Sequence, residues 1–240
     1  ALGNLRTVGG RIEISGNAAL THLDGLANIE EVGRNLLIQN NAALARVTGF
    51  SNLTRLDANL NFQDNAALES IDGFQSLASV GESLTVTGNT SLEAVSPLPS
   101  LTNVGGDLNI SSNDMLLKVN FLPNLTTVGG NLNITSNLNL TAVEGLASVS
   151  SIGGDLHLDK NDSLINLDGL TGITEIPGNF YLGWNDALVE INGLKNLSLI
   201  SGDVIVDDND ELTNLDGLES LTRVDGTFFI LSNASIKQID

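Results

Sequence analysis

The side chains best equipped for chemistry stand late in this 240-residue chain. Its only tryptophan and only tyrosine, Trp184 and Tyr181, are three residues apart, and His157, Asp159, Asp207 and Phe229 recur at related positions. Exposed rings stack on the apolar faces of sugars or fill a partner's pocket, and carboxylates beside them accept hydrogen bonds from hydroxyls. These six residues are therefore the candidate ligand-binding set. The competing reading is that the rings cover the end of the fold or pack on a neighbouring domain.

Carboxylates raise two further chemistries. Asp155 and Asp203 share one spacing, Asp159 and Asp207 another, and Asp207-Asp208-Asn209-Asp210-Glu211 is a dense run. Calcium takes such oxygen ligands, but no run matches the D-x-[DN]-x-[DN]-G loop, so a solvated acidic face is expected, with no cofactor and calcium as the lesser alternative. Two aspartates 48 residues apart would lie about 9.6 Å apart across two stacked strands, toward the upper end of the separation used by inverting glycosidases. That spacing arises in any repeating array. The two histidines, His22 and His157, fall in different arrays, and no segment lengthens into a cleft wall, so no catalytic residue is assigned and the chain is expected not to be an enzyme.

Charge and composition exclude other classes. With 29 acidic and 10 basic residues, the chain carries a net charge of −19 and meets neither nucleic acid nor an anionic membrane favourably. Residues 1–144 hold 13 acidic and 6 basic side chains, net −7, whereas residues 145–240 hold 16 and 4, net −12. No stretch approaches the roughly 18 apolar residues of a membrane span, so no direct membrane insertion is expected. The absence of cysteine removes disulfides, thiol catalysis and cysteine-based zinc sites.

The elements that must position these residues follow from a repeat. An asparagine recurs every 24 residues without a slip, at Asn17, Asn41, Asn65, Asn89, Asn113, Asn137, Asn161, Asn185, Asn209 and Asn233. Seven apolar columns keep the same step, those of Val8, Ile12, Ile14, Leu20, Leu23, Leu26 and Ile29. The Leu-x-Ile piece alternates as a strand does, and the later apolar residues fall at every third position. An α-helical face would mix steps of three and four, so short strands and tight corners are expected, with the glycine column from Gly25 to Gly217 supplying positive φ or close approach.

A unit of this kind cannot bury its apolar side alone; neighbours must stack and share a core. Ten coils at about 4.8 Å each would make a rod roughly 48 Å long. The asparagines are expected to point inward as a ladder, bonding backbone of their own and the adjacent coil. Aromatic residues make up 4% of the chain, which fits an interior where Leu, Ile and Val recur and rings do not fit. Nine N-x-S/T sequons occur, three of them, at Asn89, Asn161 and Asn233, in the column expected to be buried.

The segments from Leu101 to Asn113 (LTNVGGDLNISSN) and from Leu125 to Asn137 (LTTVGGNLNITSN) resemble the repeats of the receptor L-domain family, relatives of leucine-rich repeats. The resemblance spans essentially the whole chain and implies an all-β, right-handed parallel β-solenoid. Receptor L-domains are irregular and flanked by cysteine-rich modules, so this regular, cysteine-free chain is more similar to the microbial surface members. No receptor ligand-binding residue can be carried over.

The resulting expectation is a single solenoid domain over 1–240, belonging to a larger protein because neither end carries a recognisable polar cap. Its function would be extracellular or cell-surface adhesion or recognition of a protein or carbohydrate. A stalk or a repeat unit associating end to end is the alternative. Ice binding ranks below both, because the T-x-T pair appears only at Thr85 and Thr87, and a polysaccharide-active enzyme ranks with it.

Overall fold

Each alternating apolar segment becomes a four-residue strand, from Ile12–Ser15 in the first coil to Phe228–Leu231 in the last. These ten strands form one parallel sheet whose spatial order is the chain order, and each pairs with the residues 24 positions on. This architecture is a parallel β-solenoid, seen in a computed structural model that describes residues 2–239. Ten strands enclose nine complete circuits. Within Leu60–Gln63 the burial alternates, with Leu60 and Phe62 inside and Asn61 and Gln63 on the outer face.

The second side carries two-residue strands of the Val8 column. Seven of them, from Thr7–Val8 to Ser151–Ile152, make one sheet, and Glu175–Ile176, Leu199–Ile200 and Arg223–Val224 make another. The third side varies along the chain. Asp24–Leu26, Glu144–Leu146, Asp168–Leu170, Asn192–Leu194 and Asp216–Leu218 are 3-10 turns. The three-residue apolar step that argues against an α-helix matches the three-residue pitch of this tighter helix. Among the coils between, Phe50 and Phe74 replace the turn's Leu and Pro97 and Phe121 replace its Gly, and short strands or a single bridge pair there instead.

One apolar cluster runs from Leu23 to Leu218. The expectation that rings do not fit inside is corrected. Phe50, Phe62, Phe74, Phe121 and Phe180 are all buried. Phe50 stacks on Phe74 at 5.4 Å and Phe62 meets Phe74 edge-on at 5.4 Å. Successive coils are separated by about the distance at which rings stack, so Phe50 finds its partner in the next coil, whereas Phe62 and Phe74 meet across the interior of one coil.

The asparagine ladder is present. Asn137 shows how a rung works: its Oδ1 accepts the backbone N–H and Nδ2 of Asn113, and its Nδ2 donates to Asn161 Oδ1, Ile110 O and Thr135 O. Rungs Asn41 to Asn209 are fully buried, but Asn17 is exposed and Asn233 half-buried. A rung is shielded by coils on both sides, and within the described residues these two have a coil on one side only.

A second ladder went unread in the sequence. Asn35, Asn59, Ser83, Asp107, Asn131, Asp155, Asn179 and Asp203 each accept the backbone N–H of the equivalent residue one coil later, at 2.6–3.2 Å. Asp155 and Asp203, expected on a merely solvated acidic face, are rungs of this ladder. The glycine column also resolves into one of its two expected roles. Gly73 lies where any Cβ would overlap Gly49 O, so close approach decides it. The positive φ values fall elsewhere, at the residue before each ladder asparagine, with Phe50, next to Gly49, as the one further case among the described residues. Among the described residues no helix is long and apolar enough to cross a membrane.

Candidate functional site

The strand Phe180–Gly183 buries Phe180 and Leu182, which turns Tyr181 and Gly183 to the outer face of the ten-stranded sheet. His157 pairs with Tyr181, and Asp159 with Gly183, in the strand before; Ile205 and Asp207 occupy those positions in the strand after. The chain then turns at Trp184, whose lane also holds Lys160 and Asp208. The repeat thus brings residues 24 and 48 positions apart into one patch.

Ring geometry joins three of the candidates. His157 meets Tyr181 edge-on at 4.7 Å, and Tyr181 lies 6.0 Å from Trp184 at a tilt of 40°. Lys160 Nζ sits over the Trp184 ring at 5.1 Å. Tyr181 leans across Gly183, where a Cβ would meet the phenol oxygen at 2.7 Å, so glycine in that lane makes room for the ring. Trp184 is 40% exposed and has φ +49°.

Carboxylates surround the rings. Asp159 is almost wholly buried, with Oδ1 3.4 Å from His157 Nε2 and Oδ2 3.8 Å from Lys160 Nζ. Asp207 is half-buried, and its Oδ1 is out of solvent reach with no hydrogen-bond partner. Burial, together with the negative charges of Asp159, Asp207 and Asp208, pushes the Tyr181 hydroxyl up to about 12 from its ordinary value near 10. The phenol therefore stays protonated and remains a hydrogen-bond donor at neutral pH.

Phe229 stands apart from this group. It is exposed, two strands beyond Tyr181 with Ile205 between, and makes no ring contact among the described residues. The reading of the rings as an end cover also meets a geometric difficulty. Trp184 and Tyr181 lie on the lateral face, with the strands Val204–Asp207 and Phe228–Leu231 still to follow.

Sequence reasoning missed the surface leading up to the rings. A shallow trough of about 530 Å³ runs along the outer face, floored by Thr85, Thr87, Asn109, Ser111, Asn133 and Thr135, and walled by Ser136, His157, Asp159 and Lys160. A second hollow of about 260 Å³ lies beyond His157, against Tyr181, Asn179, Asp203 and Ile205. His157 borders both. The signal was available in the sequence, because the trough's lanes change from Glu13 and Leu37 to Thr and Asn and then to His and Tyr.

Among the described residues no three His, Asp or Glu side chains gather where they could hold a metal ion. Comparison of the chain with family models, with curated proteins and with solved structures finds no match. The chemistry of this face therefore rests on its own geometry.

Proposed function

We propose that this protein is a non-enzymatic recognition module that works at an extracellular or cell-surface location and engages a protein or carbohydrate partner through the lateral face bearing His157, Tyr181 and Trp184. The observation that carries the reading is Trp184 itself. A bulky side chain in the left-handed region costs about 1–3 kcal/mol, and such conformations persist where function or the surrounding structure demands them. Nine of the ten equivalent positions hold Gly, Asn, Asp, Ser or Lys, so the fold does not call for an indole. Here an indole is held in that conformation, 40% exposed, against a second ring.

The resemblance to microbial surface members of the receptor L-domain family supports the setting and the mode of action. A rigid solenoid displays side chains of successive coils at fixed intervals, so a ligand meets them without an ordering cost. To test the reading, the wild-type chain and Tyr181→Ala and Trp184→Ala variants would be screened against arrayed glycans and surface proteins. Retained folding with lost capture of a partner supports it. Capture unchanged in both variants rejects the ring patch.

A further inference from the structure

We infer that the trough and the rings form one continuous site for a neutral oligosaccharide, laid along the solenoid axis. The inference rests on the recognition reading above and narrows its ligand. The trough floor consists of uncharged hydroxyl and amide groups that already orient one another. The Thr87 and Ser111 hydroxyls are 2.9 Å apart, and Asn133 Nδ2 donates to Asn109 Oδ1 at 2.6 Å. Each hydroxyl keeps a free lone pair and each amide an unused N–H, so a hydroxyl lane of Thr87, Ser111 and Thr135 runs beside the amides of Asn109 and Asn133, and the floor offers both donors and acceptors. A polyhydroxylated chain answers such a surface group for group.

An extended peptide is served poorly here. The central strands are hydrogen-bonded to neighbours on both sides, so the face offers no open strand edge for main-chain pairing. The end of the trough supplies what the floor lacks. Tyr181 and Trp184 present apolar ring faces, and the Tyr181 hydroxyl and Lys160 ammonium stand beside them as donors. Stacking of a sugar's C–H face on a ring, with hydroxyls bonded at its rim, needs this pairing of ring and polar group.

Charge restricts the sugar type. Asp159, Asp207 and Asp208 surround the rings, and the chain carries −19 overall, so uronate, sulfate or phosphate substituents would be repelled. Length sets the polymer size: from Thr85 to Tyr181 the site spans five paired strands, or about 19 Å at the strand spacing. Several sugar units fit on that length.

Trp184 is the sole tryptophan, so its fluorescence reports the site without a label. The whole chain would be titrated with neutral glucose-, mannose-, galactose- and N-acetylhexosamine-based oligosaccharides of increasing length, and with a matched uronate series. Calorimetry would run beside it, on the wild type and on Asn133→Ala and Trp184→Gly. The expected result is a response to a neutral series that strengthens with length, no response to uronates, and roughly tenfold weaker binding in each folded variant. Silence toward every neutral series, or affinity unchanged in both variants, overturns the carbohydrate assignment. If the sugars are silent but a surface protein is captured in a Trp184-dependent manner, the assignment fails and the recognition reading stands. If no partner depends on Trp184, both fail.

Discussion

At the residue scale, Trp184 and Tyr181 separate what the fold needs from what the surface offers. Replacing Trp184 by Gly relieves a left-handed conformation worth about 1–2 kcal/mol for an ordinary side chain. It also removes a ring contact and a cation–π contact worth about 0.5–1.5 and 0.5–1 kcal/mol. The opposing effects nearly cancel, so chemical denaturation of Trp184→Gly is expected to give a stability within about 1 kcal/mol of wild type. A loss of several kcal/mol would instead make the indole part of the scaffold. Tyr181 carries the pH prediction. Its hydroxyl titrates at about 12 in the folded chain against about 10 unfolded, so the folded state holds the proton more tightly between those values. Its contribution to stability is complete below pH 10 and is lost as pH rises toward 12. As Tyr181 is the only tyrosine, phenolate absorbance reports it directly, and Asp207→Asn should lower the midpoint only part of the way, because burial is the larger cause. An ordinary midpoint near 10 would refute the crowded, carboxylate-flanked environment.

At the element scale, the two ladders explain why some of the molecule was legible before the structure and some was not. The Asn17-to-Asn233 column declared itself because one residue type does the same work ten times: a rung accepts from one coil while its NH2 group donates to the next coil and to backbone, which a hydroxyl with one O–H or a carboxylate with none cannot match. The Asn35-to-Asp203 ladder has a looser requirement, a single side-chain oxygen that accepts a backbone N–H, and Asn, Ser and Asp all satisfy it. Its members therefore look unrelated in sequence, and Asp155 reads as surface charge. The same logic hid the left-handed column, whose occupants range from Gly16 to Trp184. Two substitutions test the distinction. Asn137→Ala leaves the buried backbone N–H of Asn113 without its acceptor and removes the amide donor to Ile110 O and Asn161 Oδ1, and should cost about 1–3 kcal/mol, the range for one unsatisfied buried group. Asn17→Ala, on an exposed rung, should cost under about 1 kcal/mol. Equal losses in thermal or urea unfolding would mean that burial does not set the value of a rung.

At the scale of the whole molecule, each strand pairs only with its two neighbours at a register of 24, so the rod should tolerate loss of a coil but not loss of register. Deleting residues 113–136 joins Ser112 to Asn137, restoring a left-handed residue before a ladder asparagine and placing Leu108 beside Leu156 once the intervening strand is gone. Every apolar column and both ladders stay in step. A 12-residue deletion within the same coil would set inward columns against outward ones and bury polar groups without partners, which no relaxation of a packed core absorbs. The first deletion is expected to keep a β-type circular dichroism spectrum and cooperative unfolding, and the second to lose both. The coil deletion also bears on the site, for it removes Asn133 and Thr135 from the trough and brings the rings one strand closer to Thr85. Deleting residues 17–40 shortens the rod equally, outside the trough. If the trough and rings act together, only the 113–136 deletion should weaken oligosaccharide binding, with the preferred chain length falling by about one strand spacing, near 4.8 Å. Equal weakening by both deletions would place the contacts elsewhere on the rod, and would separate the periodicity that builds the fold from the few lanes that give this face its chemistry.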